Sequence, residues 1–113
     1  MEEMELDNEL TLVAMQIILH AGDARGFLKA SLEAVEAFDF PEARRQLEEA
    51  KKEIELAHDA QTTLIQREAQ GETYEFRFIF THAQDTLMTI MSEAVLCESL
   101  IKIMESFYKE LKK

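Results

Sequence analysis

Apolar residues recur along this chain at helical rather than strand intervals. Leu10, Val13, Ile17, Ala21, Ala24, Leu28 and Val35 keep to one face of a 3.6-residue period. From Ala43 the steps become strictly four and three, through Leu47, Ala50, Ile54, Ala57, Gln61 and Leu64, the pattern of a coiled-coil seam. Ala83, Leu87, Ile90, Ala94, Cys97, Ile101, Met104, Tyr108 and Leu111 form a third stripe of the same kind. Two places combine helix breakers. Asp39 with Glu42 makes a capping-box pattern around Pro41, which suits a first helical turn and cannot continue a preceding helix. Gly71 follows Gln70 as a helix C-cap would. The spacing predicts helices over about 6–38, 41–70 and 75–112, with the first few residues disordered. Phe76, Phe78 and Phe80 alternate as a short strand would, but no neighbouring segment can pair with them. The expected fold class is therefore all-α: a single domain over 1–113 built as an antiparallel three-helix bundle.

The last helix carries a second stripe. His82, Asp85, Thr89 and Ser92 continue in register as Leu96, Leu100, Ile103 and Phe107, about 100° round from the first. One half is polar and the other apolar. A helix in a lone three-helix bundle buries one stripe, so the second implies a homo-oligomer in which this helix packs on its own copies, with His82 and Asp85 at or beside the interface. Length points the same way, since three helices of about 30 residues, each about 45 Å long, enclose a thin core. Gly22 and Gly26, four residues apart, are expected to let another helix approach closely. They are not a phosphate loop, because no strand precedes them and the G-x-G-x-x-G spacing is absent. Exposed pairs such as Glu48 with Lys52 are worth a few tenths of a kcal/mol each, so the seams must hold the fold.

Composition narrows the function classes. With 12 Lys+Arg against 23 Asp+Glu the net charge is −11, which disfavours contact with nucleic acid and with anionic lipid and favours a basic protein partner. Three Gly, one Pro and no Trp leave few turn and strand formers. The opening Met1-Glu2-Glu3-Met4-Glu5 lacks the basic and apolar regions of a secretory signal, and no run approaches the roughly 18 apolar residues of a membrane span. The expectation is a cytoplasmic protein with no direct membrane insertion. The single Cys97 reads as a small buried hydrophobe, and the six Met as core filler.

Chemistry concentrates at His82-Ala83-Gln84-Asp85. On a helix His82, Asp85, Thr86 and Thr89 share a face. Imidazole is a good neutral nucleophile that is part-deprotonated near neutral pH, as accepting and releasing a phosphoryl group requires. Spacing alone leaves His82 open between a hydrogen-bonded interface histidine and a catalytic or metal-binding one. A carboxylate in an oligomer seam is costly unless protonated, paired or bound to a cation, so Asp85 is either a cation ligand shared between copies or a solvated rim residue. His20 and His58 have no Cys or carboxylate at zinc-site spacing and read as structural.

Three elements, Gly22-Asp23-Ala24-Arg25, Ala57-His58-Asp59-Ala60-Gln61-Thr62-Thr63-Leu64 and His82-Ala83-Gln84-Asp85-Thr86-Leu87-Met88-Thr89, resemble the enzyme IIA component of the lactose/cellobiose/chitobiose group of the phosphoenolpyruvate-dependent sugar phosphotransferase system. The likeness runs in order from about Leu10 to Tyr108. It implies a trimer of three-helix subunits, a nine-helix bundle. It makes His82 the acceptor of phosphate from phospho-HPr and the donor to the IIB component, for uptake of a β-linked disaccharide of cellobiose, lactose or chitobiose type. It places Asp85 at the trimer axis around Mg2+ or another divalent cation, and Gln84 in the active-site region. Gln84 is two residues from His82, so it would reach the site across a helix or subunit boundary. Thr86 stands where the family usually has a second histidine. It can donate a hydrogen bond but carries no charge, and that second histidine is expected to be dispensable. The competing reading is a helical adaptor or regulatory relative that has lost phosphoryl transfer.

Overall fold

The computed structural model describes residues 2–71 and 78–113, and for residues 2–8 and Glu68 the backbone alone. Three helices follow in chain order: α1 over Glu2–Glu36, α2 over Phe40–Ala69 and α3 over Phe78–Leu111. Among the described residues there is no strand. The start of α3 expected near 75, and Phe76, lie outside the described residues. Phe78 and Phe80 are helical. The helix α1 begins at Glu2, and Met1 lies outside the described residues.

The turn between α1 and α2 is a Schellman cap. Asp39 N–H donates to Ala34 O and Phe38 N–H to Val35 O, both at 2.9 Å. Phe38 occupies the left-handed position of that motif with φ 60°, where glycine is usual. Its ring stacks on Tyr108 at 5.1 Å between centroids. α2 then opens as its capping residues dictate, with Glu42 N–H donating to Asp39 Oδ1 at 3.2 Å. The box is half-made, because the Glu42 carboxylate turns forward to Arg45 and Gln46 instead of back. At the far end Gly71 adopts φ 104°, which a side chain would resist.

The buried seams are those of the periodicity. Ile17, Ala21 and Leu28 of α1, Leu47, Ala50 and Leu64 of α2, and Leu87, Ile90 and Ile101 of α3 are all core. Leu111 departs from the expected stripe at 67% exposure, since α3 there has run past the turn between α1 and α2 and has nothing to pack on. The pair expected between Glu48 and Lys52 gives way to Lys51 with Glu48 and Lys52 with Glu49, one residue closer in each case. Bonds between helices set the register. His20 Nδ1 meets Glu53 at 2.6 Å across α1 and α2, and Ser31, fully buried, donates to Ala43 O at 2.7 Å. Arg25 grips Glu93 of α3 with two hydrogen bonds, and Cys97 donates to Ser31. α2 is therefore antiparallel to α1, while α3 runs parallel to α1 at an offset of about 67 residues, which brings His82 level with Ala14–Gln16.

Candidate functional site

Local sequence places the site on the first turns of α3. Ala83 and Leu87 are fully buried against α1 and α2. They lock the rotation of the helix, and His82 and Asp85 consequently face outward and are exposed. Thr86 and Thr89 stand one turn beyond each. Thr86 Oγ1 donates to His82 O, and Thr89 Oγ1 to Asp85 O, each at 2.8 Å. Such back-bonding satisfies a hydroxyl locally and slightly bends the helix. The structure therefore brings His82, Asp85, Thr86 and Thr89 together on one face. Gln84 is not with them: it is half-buried about 200° round the helix from His82.

The three histidines differ in their partners. The His20 ring is tied to Glu53, and His58 Nδ1 lies 3.5 Å from Thr62 Oγ1, one turn on in α2. The ring of His82 has no hydrogen-bond partner among the described residues, so both nitrogens are open to an incoming group. The Asp85 carboxylate likewise has no ion pair there. Among the described residues no three His, Cys, Asp or Glu side chains are grouped to hold a metal ion; one subunit offers a cation Asp85 alone.

Further along α3, about 20 Å or more from His82, the surface is apolar and uncovered. Leu96, Leu100, Ile103 and Phe107 continue the face of His82 along α3 and are 61%, 43%, 61% and 58% exposed. Between them and α1 runs a groove of about 530 Å³ lined by Leu28, Leu32, Leu96, Cys97 and Leu100. Sequence reasoning missed a second uncovered seam on α1, formed by the exposed side chains Leu12, Met15 and Leu19. Its steps of three and four run on through Gly22 and Gly26, and that continuation was the signal. A Cβ on either glycine would meet nothing within 4 Å. The close helix approach expected at Gly22 and Gly26 is thus absent within the subunit, and the face they open is free for a helix from outside it.

The comparisons with known proteins agree with one another. The family described as "PTS system, Lactose/Cellobiose specific IIA subunit" matches residues 12–105. The lichenan-specific phosphotransferase enzyme IIA component of Bacillus subtilis (strain 168) is 35% identical over 105 residues, 93% of this chain and 96% of that protein. A lactose-specific EIIA component from Lacticaseibacillus casei is 41% identical over 88 residues, covering 78% of this chain and 79% of the relative. Among solved structures, PtcA from S. mutans superposes with a TM-score of 0.85 at 34% identity, covering 87% of this chain and 96% of that one. The cellobiose-specific enzyme IIA from Bacillus anthracis gives 0.83 at 34%, covering 87% and 90%.

Proposed function

This chain belongs to the lactose/cellobiose-specific IIA subunits of the sugar phosphotransferase system, and on that premise we propose that His82 is the residue on which it carries the phosphoryl group. The protein is a phosphocarrier in sugar uptake. The observation that favours His82 is its ring, exposed and without a partner among the described residues, on a face shared with Asp85, Thr86 and Thr89, while the His20 ring is held by Glu53 and His58, though exposed, lies on α2 away from that face. A nucleophile needs an accessible lone pair, and His82 presents one.

The route runs from phospho-HPr to His82 and on to the IIB component, in the cytoplasm, with a β-linked disaccharide as the sugar finally phosphorylated; the relatives' names, lichenan-, lactose- and cellobiose-specific, support that class. The sugar itself does not touch this subunit. Catalysis is therefore positioning a nucleophile and matching the charge of three phosphoryl oxygens. No described helix is long and apolar enough to cross a membrane.

The working form is a trimer. Its support is the uncovered stripe of Leu96, Leu100, Ile103 and Phe107 and the groove beside it. Three copies of α3 meeting on that stripe carry Asp85 towards a common axis. Exposed and unpaired among the described residues, its carboxylate fits as a hard oxygen ligand for Mg2+ or another divalent cation shared by three copies. The cation would neutralise like charges there. The decisive experiment is incubation with phosphoenolpyruvate, enzyme I and HPr, followed by a search for acid-labile phosphate and its mapping by mass spectrometry. Label on His82 supports the assignment, and label confined to His20 or His58 overturns it. A protein that takes no label is the adaptor instead.

A further inference from the structure

Resting on that reading of His82, we propose that Thr86 is a positioning residue that selects which nitrogen of His82 accepts the phosphoryl group. Thr86 is one turn beyond His82 on the same face, and its hydroxyl proton is already committed to His82 O at 2.8 Å. An oxygen in that state keeps lone pairs and has no proton to offer, so towards a neighbouring imidazole it acts only as an acceptor. The same residue pair recurs elsewhere in this molecule. His58 and Thr62 repeat the same spacing on α2, and there the threonine oxygen lies 3.5 Å from Nδ1. The ring of His82 is exposed, and in the proposed arrangement it donates its Nδ1–H to Thr86 Oγ1.

The consequence is chemical. The partner of one imidazole nitrogen decides the role of the other. With Nδ1–H donated to Thr86, the lone pair of Nε2 points outward as the nucleophile. It attacks phosphorus, the P–N bond of the phosphorylated donor imidazole breaks, and that electron pair returns to the donor ring nitrogen. The proton on Nδ1 stays in place throughout, still bonded to Thr86. No proton has to be moved during transfer, and a neutral threonine accordingly serves at this position without a second charged ring. Asp85, three residues from His82, is the rival acceptor. It lies on the opposite flank of the same face, towards the proposed axis.

The test reads the tautomer directly. Two-dimensional 1H–15N spectra of the histidine rings, at a pH where they are neutral, are recorded for wild type, Thr86→Val, Thr86→Ser and Asp85→Asn, beside single-turnover transfer from phospho-HPr. Wild type is expected to hold His82 mainly as the Nδ1–H form with phosphate arriving on Nε2. Thr86→Val, the same shape without the oxygen, should shift the ring towards Nε2–H and slow transfer roughly three- to fivefold, in proportion to the lost competent fraction. The donor's half-saturation should be unchanged, and Thr86→Ser should restore both readouts. A merely structural role for Thr86 would move neither the tautomer ratio nor its rescue by serine. The proposal is overturned if Thr86→Val leaves ratio and rate at wild-type values, or if Asp85→Asn shifts the ratio and Thr86→Val does not. Phosphate that never labels His82 in wild type overturns the acceptor assignment itself, and this inference with it; phosphate on His82 with an indifferent Thr86→Val removes this inference alone.

Discussion

At the scale of single residues, two side chains are placed against local preference or without a partner, and each yields a prediction. His82 is an exposed imidazole outside the buried seam of α3. His82→Ala should therefore abolish phosphoryl acceptance while leaving the helical circular dichroism and the assembly state at wild-type values; loss of helix together with acceptance would show that the ring serves the fold. Phe38 is held at φ 60° by the Schellman cap and compensated by its stack on Tyr108. Phe38→Ala keeps the left-handed strain and loses the stack, and should lower stability by about 1–2 kcal/mol. Phe38→Gly loses the stack but also the strain, and should unfold in urea about 1 kcal/mol later than the alanine variant. Equal midpoints would mean that the backbone carries no strain there. Periodicity placed His82 outside the core; nothing in it foretold a phenylalanine at a glycine's position, because that depends on Tyr108, 70 residues away.

At the scale of elements, the start of α2 and its contact with α3 are fastened by ion pairs on the surface. Hydrogen bonds from Arg45 and then Gln46 hold the Glu42 carboxyl at about 2, well below the ordinary range. The hydrogen bond from Arg44, at 2.5 Å, lowers Glu105 likewise. A depressed carboxyl pKa adds stability above the unfolded-state value near ~4.3 and loses it as pH falls towards the folded value. Melting temperature should accordingly drop between about pH 4.5 and 2, and Glu42→Gln and Glu105→Gln should each flatten that slope. Glu42 and Glu105 are both partly exposed, so screening keeps each effect small. A slope unaltered in the double variant would assign the acid sensitivity to other carboxylates. The pairing partners could not be read along the chain: Arg44 and Glu105 are brought together only by the packing of α3 against α2.

At the scale of the whole molecule, the subunit is a rod. Its extents are 68 × 21 × 19 Å and its radius of gyration is 17.9 Å, against about 13 Å for a compact chain of this length. So thin a bundle leaves apolar faces uncovered, and assembly is the economical way to cover them. The proposed trimer predicts that wild type sediments as three copies and melts lower when EDTA is added. Asp85→Leu should remove both the repulsion and the need for a cation, extend the apolar half of the stripe, and give a trimer whose melting temperature ignores EDTA. Wild type indifferent to EDTA would mean solvated or protonated aspartates, and a monomeric wild type would leave the two-stripe argument without its premise.

The repeat of apolar residues determined by itself that the chain is three helices, which face of each is core, and that α3 has one stripe too many, because burial of a helix follows from a period that any stretch of sequence displays. The shared face of His82, Asp85, Thr86 and Thr89 was legible for the same reason, since residues three and four apart share a face, but spacing left the role of His82 open and the resemblance to the enzyme IIA family supplied it. Tertiary structure alone decided that His20 is not free. His20 was silenced by Glu53, 33 residues distant, and no local pattern records a contact of that kind. It also decided that Gly22 and Gly26 look outwards and that Leu12, Met15 and Leu19 are bare. An exposed apolar seam and a buried one have the same spacing, and only the position of the neighbouring helices tells them apart.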